Sequence, residues 1–149
     1  MKTRLLPSLL LALYLVGFSL GAQAGQAETF GPYAVHYNTL NTSLLTADVA
    51  RAYSIQRSGN RALLNIAVIR HGEEETGTAV TARVRATATN LAGQRRELDM
   101  REIRDQEAIY YIGTFRISNE ETLNFQVSVQ PEGEPRPHEF SFRQQFYVH

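Results

Sequence analysis

The chain has no cysteine, no tryptophan and a single lysine, Lys2, among its 149 residues. Each absence removes a class of chemistry. Without cysteine there is no thiol nucleophile, no thiolate zinc site, no redox pair and no lipid anchor on an N-terminal cysteine. Nor is there a disulfide, although small exported domains often depend on them, so any fold rests on core packing. Strong charges balance, with 15 Lys and Arg against 15 Asp and Glu. Once Lys2 and Arg4 are set aside the remainder is slightly acidic, which gives no field for nucleic acid and no polybasic stripe for anionic lipid. Apart from one segment at the start, no apolar run is long enough to span a bilayer.

That segment reads as a secretory signal. Lys2 and Arg4 form a basic head, residues 5–20 are apolar with Pro7, Ser8, Gly17 and Ser19 as interruptions, and Ala22 and Ala24 make a small-x-small cleavage site. Cleavage after Ala24 is expected, with residues 1–24 as signal peptide, residues 25–149 as a single domain, and the periplasm as compartment. No stable membrane insertion is expected after the signal is removed.

Within residues 25–149 the dominant pattern has period two, the signature of strands with one buried and one wet face. In 79–90, Val80, Ala82, Val84, Ala86 and Ala88 alternate with Thr81, Arg83, Arg85, Thr87 and Thr89. In 122–130, Leu123, Phe125, Val127 and Val129 alternate with Asn124, Gln126, Ser128 and Gln130. In 138–148, Phe140, Phe142, Phe146 and Val148 share a face that Gln144 interrupts. Tyr33, Val35 and Tyr37 alternate after a turn at Gly31 and Pro32. Residues 63–69 are apolar on both faces except for Asn65, and 109–117 are aromatic and β-branched, as central strands are. Residues 91–94 read as a turn and 131–137 as a hairpin connection.

Two segments fit less well. Thr46 can cap a short helix over 46–53, with Val49 and Tyr53 four apart. Residues 95–107 have helical composition but no helical apolar stripe; Leu98 and Met100 fit a strand face, so strand is expected. The sum is an all-β, antiparallel sandwich of about seven strands, with a small closed barrel as the alternative. Ala108, Tyr110 and Ile112 give one immunoglobulin-like hint, since such domains carry a corner tyrosine two residues before an inward position.

Several blocks are similar to a known family. HYNTLNTSLL (residues 36–45), RALLNI (61–66), ATNLAGQ (88–94), the run 101–125 and the closing QPEG and QQFY (130–133, 144–147) resemble the DUF4426 family of small exported proteobacterial proteins of unknown function. The resemblance spans essentially all of 25–149. It implies an immunoglobulin-like sandwich in the periplasm and supplies no catalytic or binding residues.

Candidate chemistry is sparse. His36, His71, His138 and His149 lack metal-ligand spacing; His71 beside Glu73, Glu74 and Glu75 is the best cluster, but three consecutive glutamates cannot converge on one ion. There is no G-x-S-x-G turn and no phosphate loop. Asp99 and Glu102 would point to opposite faces of a strand, and the nearby Arg95, Arg96, Arg101 and Arg104 suggest cross-strand ion pairs instead. No cofactor, metal site or catalytic residue is expected. The binding candidates are Tyr37, Asn38, Leu40 and Asn41, where amides and apolar groups stand together near a strand end, in a stretch continuing through Leu44 and Leu45. The competing reading is that these leucines plug the core while the amides satisfy loop backbone. A non-catalytic binding or accessory module is the expected function, with another envelope protein or a peptide as partner. The alternatives are a hydrolase using His36 or His138 with a carboxylate, and a structural or stress-related envelope protein.

Overall fold

The computed structural model describes residues 25–73 and 76–148. The signal segment, with Ala22 and Ala24, lies outside the described residues, as do Glu74, Glu75 and His149. Ten strands are present: β1 (Gln26–Phe30), β2 (Tyr33–Asn41), β3 (Arg61–Arg70), β4 (Thr78–Ala79), β5 (Ala82–Asn90), β6 (Arg95–Leu98), β7 (Arg101–Asp105), β8 (Ala108–Arg116), β9 (Glu121–Pro131) and β10 (His138–Phe146). One sheet has the order β1-β2-β3-β8-β7, with β4 also paired to β3; the other has the order β10-β9-β5-β6. All pairings are antiparallel, and the two sheets form a sandwich rather than a closed barrel.

The difference between seven expected strands and ten has a physical cause. β1 is short, polar and largely exposed, so it carries no alternation to read. The other two extra strands arise where the chain changes sheets. The stretch 79–90 divides at Val80 and Thr81, because β4 pairs with β3 in one sheet and β5 with β9 in the other. The stretch 95–107 divides at Asp99 and Met100: β6 pairs with β5, and β7 with β8. Gly113 on β8 lies under this second crossover, where an added Cβ would stand 2.6 Å from Met100 Sδ. Alternation survives a change of sheet when the inward face stays inward, so periodicity alone cannot locate the corner.

The main core fills the space between the sheets. Val35, Leu64, Ile66 and Val68 from one layer meet Leu123, Phe125, Val127 and Val129 from the other, each essentially without exposure. Phe125 stacks on Phe142 with ring centroids 4.7 Å apart and meets Phe115 edge-on at 5.4 Å. A second, smaller core lies on the outer face of the larger sheet. There a short helix α1 (Ala47–Ala52) lays Val49 and Ala50, with Leu45, Tyr53 and Ile55, over Leu40, Leu63 and Ile112. Thr46 caps α1 by accepting from Val49 N at 3.2 Å. This second core explains why β3 is apolar on both faces: β2 and β8 flank it, and each of its faces meets a core.

The corner-tyrosine hint is corrected. Tyr110 sits on β8 just after the hairpin from β7, within one sheet, and it packs with Ile112 on the outer face against the helix core. It marks no crossing between sheets.

Candidate functional site

Residues 37–41 are not a loop but the last five residues of β2, and their side chains part to opposite faces. Tyr37 faces the main core, beside Phe140 and Phe142, and its hydroxyl donates to Gln26 Oε1 at 2.7 Å, tying β1 to β2. Leu40 is buried on the other face beneath α1. Asn41 is buried and donates through Nδ2 to the carbonyl of Tyr147 at 2.7 Å, fastening the strand end to the last residues of the chain. Thr42, fully buried, bonds both the N–H and the carbonyl of Ser58. Asn38 is half-buried on the outer face, opposite Asn65. Tyr37, Leu40 and Asn41 thus hold the fold, and the four candidates do not converge on one surface. Strand alternation was the signal that could have separated them.

The histidines are also dispersed. His36 is half-buried on the outer face of the larger sheet, where burial, and secondly the charge of His71, lower its pKa. His138 stacks flat on Phe30, centroids 4.0 Å apart. No group of three or more His, Asp or Glu among the described residues is arranged to hold a metal ion. Glu102 pairs with Arg104 along its own strand at 2.9 Å rather than across strands, and this bond holds its carboxyl below the usual range. The other oxygen of Glu102 accepts from Tyr111, whose hydroxyl in turn accepts from the N–H of Ala82 at 2.8 Å. Tyr111 is on β8 and Ala82 on β5, so this chain of bonds locks the two sheets together. Asp99 stands apart, in the crossover between β6 and β7.

Ser43, Tyr53, Asn65 and Asp105 each carry a buried polar atom with no hydrogen-bond partner among the described residues. Burial, with the nearby Asp105 and Tyr110, pushes the Tyr53 phenol up to about 12. The phenol therefore stays protonated at neutral pH and cannot serve as a base.

Besides a groove of about 630 Å³ beside the loop after β9, lined by Arg83, Arg104, Glu132 and Glu134, two surface features bear on recognition. The outer face of the smaller sheet is a continuous polar surface, because alternate residues of all its strands point away from the core. A groove of about 440 Å³ crosses it, lined by Arg85 and Thr87 of β5, Gln126 and Ser128 of β9, and Glu139 and Ser141 of β10, with Arg95 and Glu97 of β6 closing one side. A smaller groove of about 300 Å³ lies at the sandwich end where β5 turns into β6 and β8 into β9. Sequence reasoning missed both, since their lining residues come from segments far apart in the chain.

The model for a domain of unknown function, DUF4426, matches residues 27–149. Among solved structures, a DUF4426 family protein from Pseudomonas aeruginosa is 34% identical. The match covers 86% of this chain and 98% of that one, with a TM-score of 0.74. FetP of uropathogenic Escherichia coli strain F11, expressed recombinantly in the periplasm, shares the fold at 9% identity. It covers 84% of this chain and 95% of its own, with a TM-score of 0.59. A copper-bound variant of FetP aligns over 84% of this chain and 91% of that one at 9% identity, with a TM-score of 0.57. No curated protein matches the chain in sequence.

Proposed function

The chain belongs to the DUF4426 family, and from that premise we propose that it is a non-catalytic binding or accessory module of the periplasm, taking an envelope protein or peptide on the outer face of its smaller sheet. The observation that carries this reading is the groove on that face. Arginine, glutamate, hydroxyl and amide side chains from four neighbouring strands stand there on a rigid sheet, with donors and acceptors in register. Such a surface recognises extended polar ligands by hydrogen bonds that cost little ordering of the protein. The groove holds no histidine and no lysine, so it has no base of ordinary pKa near neutrality to activate Ser128 or Ser141.

The periplasmic assignment rests on the pattern of Lys2, Arg4, the apolar run and Ala22-x-Ala24. FetP, which shares the fold, was produced in that compartment. Copper stays with FetP: at 9% identity the likeness concerns the fold, and the described residues of this chain group no metal ligands.

The test is affinity capture after crosslinking in the envelope, comparing the wild-type chain with Arg85→Glu combined with Gln126→Ala. Both side chains are exposed, so melting should be unchanged while the captured partner is lost. Undiminished capture by the double variant would refute the assignment of the face.

A further inference from the structure

Four large apolar side chains are exposed among the described residues: Leu44, Leu91, Tyr147 and Val148. All four stand at one end of the sandwich. Leu44 follows β2, Leu91 is in the turn from β5 to β6, and Tyr147 and Val148 follow β10. Strand pairing places these points together. Asn41 pairs with Ala62 and Arg61 with Arg116 in the larger sheet; Asn90 pairs with Leu123 and Glu121 with Phe146 in the smaller. Direct bonds connect them: Asn41 Nδ2 donates to the Tyr147 carbonyl, and Val148 N donates to Asn119 Oδ1 in the turn from β8 to β9. Scattered single apolar groups are ordinary on a surface, but here every one of them gathers on one end.

The same end carries an unbalanced positive charge. The groove of about 300 Å³ is lined by Arg95, Arg96 and Arg116, with Asn90, Gln94 and Ser118 between them. Glu121 is the one acid in its lining, and it pairs with Arg96 at 3.5 Å while also accepting from Ser118 N. Arg95 and Arg116 are exposed and make no ion pair among the described residues. The lining therefore holds two guanidinium charges in excess, although Glu120 stands on the neighbouring turn. At the opposite end the loop after β9 presents Glu132 and Glu134 together with Arg136, and Arg83 and Arg104 line the groove beside it, so no comparable excess of arginine stands there.

We propose that this end is a docking surface for an anionic phospholipid bilayer: Arg95, Arg96 and Arg116 receive headgroup phosphates while Leu44, Leu91, Tyr147 and Val148 enter the interfacial layer. The joint placement selects this occupant. Guanidinium groups bind phosphate oxygens in a fork, and apolar side chains on loop tips gain by leaving water for the headgroup–acyl boundary. A soluble anion would use the groove but would have no use for the four apolar groups around it. The site shares Arg95 with the groove of the proposed function but otherwise lies apart from it, and vesicle binding and partner capture read the two separately.

The test uses residues 25–149, since the related Pseudomonas chain was crystallised as little more than this sandwich, 98% of it being covered. Co-sedimentation is measured at low salt with phosphatidylglycerol-containing vesicles and with phosphatidylcholine vesicles. Binding should require the anionic lipid and fall with added salt. Each arginine near such a surface is worth about fivefold in partitioning, so Arg95→Gln with Arg116→Gln should weaken binding by about 25-fold. Leu91→Ser should weaken it several-fold, and Arg136→Gln, at the far end, should leave it unchanged. All four positions are exposed, and equal melting temperatures establish that the variants fold. Equal binding to both vesicle types, or undiminished binding by the double arginine variant, overturns the proposal. So does stabilisation by inorganic phosphate without vesicle binding, which would make the groove a soluble-anion site.

Discussion

Phe125→Ala is the sharpest perturbation of the core. Phe125 is fully buried at the middle of β9, with Ala88 beside it on one neighbouring strand and Phe142 on the other. Its ring stacks on Phe142 at 4.7 Å and meets Phe115 and Phe146 edge-on at 5.4 and 6.0 Å. A buried aromatic removes about 150–250 Å² from water, which at about 25 cal/mol per Å² is about 4–6 kcal/mol. Alanine retains part of that area, but the cavity left among three other rings forfeits contacts, and the expected loss is about 3–5 kcal/mol. Total stability of a domain this size is about 5–15 kcal/mol, so the variant should be close to the limit of folding. Urea unfolding followed by circular dichroism measures the effect. With a slope of about 1–3 kcal/mol per M, the midpoint should fall by more than 1 M. Asn124, the next residue, points outward and accepts from Arg143 at 2.8 Å on a wet face. Its replacement by alanine should cost less than about 1 kcal/mol. Equal losses at 124 and 125 would refute the facing of β9 and the core built on it.

Other outcomes follow from the same structure. Asn41→Ala should lower stability by about 1–3 kcal/mol by removing a buried bond to the Tyr147 carbonyl. Asn38→Ala, with no side-chain hydrogen bond among the described residues, should cost less than about 0.5 kcal/mol in the same urea assay. The lowered pKa of His36 means the unfolded chain takes up its proton first, so stability should decline as pH falls below 6.5. His36→Gln should flatten that window and leave the later decline below about pH 4.5, where Glu102 loses its bond to Arg104. Melting curves should be indifferent to reductant, the chain having no cysteine, and to a strong chelator; a drop of several degrees on chelation would reveal a metal site. Intact mass of the protein from the envelope fraction should correspond to a chain beginning at Gly25, and a chain retaining Met1 would refute the signal reading.

The strands were legible where one residue in two meets a core. β9 has its inward residues where the alternation puts them, and α1 starts at the capping threonine that the sequence offers. Asn65 stood out in an apolar run because β3 is buried on both faces, and its Oδ1 has no hydrogen-bond partner among the described residues. Local pattern is blind to what neighbouring strands do. The changes of sheet at Val80–Thr81 and Asp99–Met100 preserve alternation, and nothing in the composition of 95–107 marks its division. Residues 37–41 mixed amides with apolar groups because a strand buried on two faces needs both: Leu40 for the helix core, Asn41 for a carbonyl at the chain's end. Arg95 and Arg96 suggested cross-strand ion pairs and Arg116 did not stand out in the sequence; strand register brings the three into one groove. The outer groove of the smaller sheet was hidden for the same reason, its walls being contributed by four strands that span 85–141.

The proposed function stands or falls on which face meets a partner. A photo-crosslinking amino acid placed at Ser141, on the outer groove of the smaller sheet, should give a discrete covalent adduct with one envelope component when cells are illuminated. The same amino acid at Ala67, on the outer face of the larger sheet, should give none. No adduct at Ser141, or identical adducts at both positions, would contradict a binding module that works through its polar sheet face.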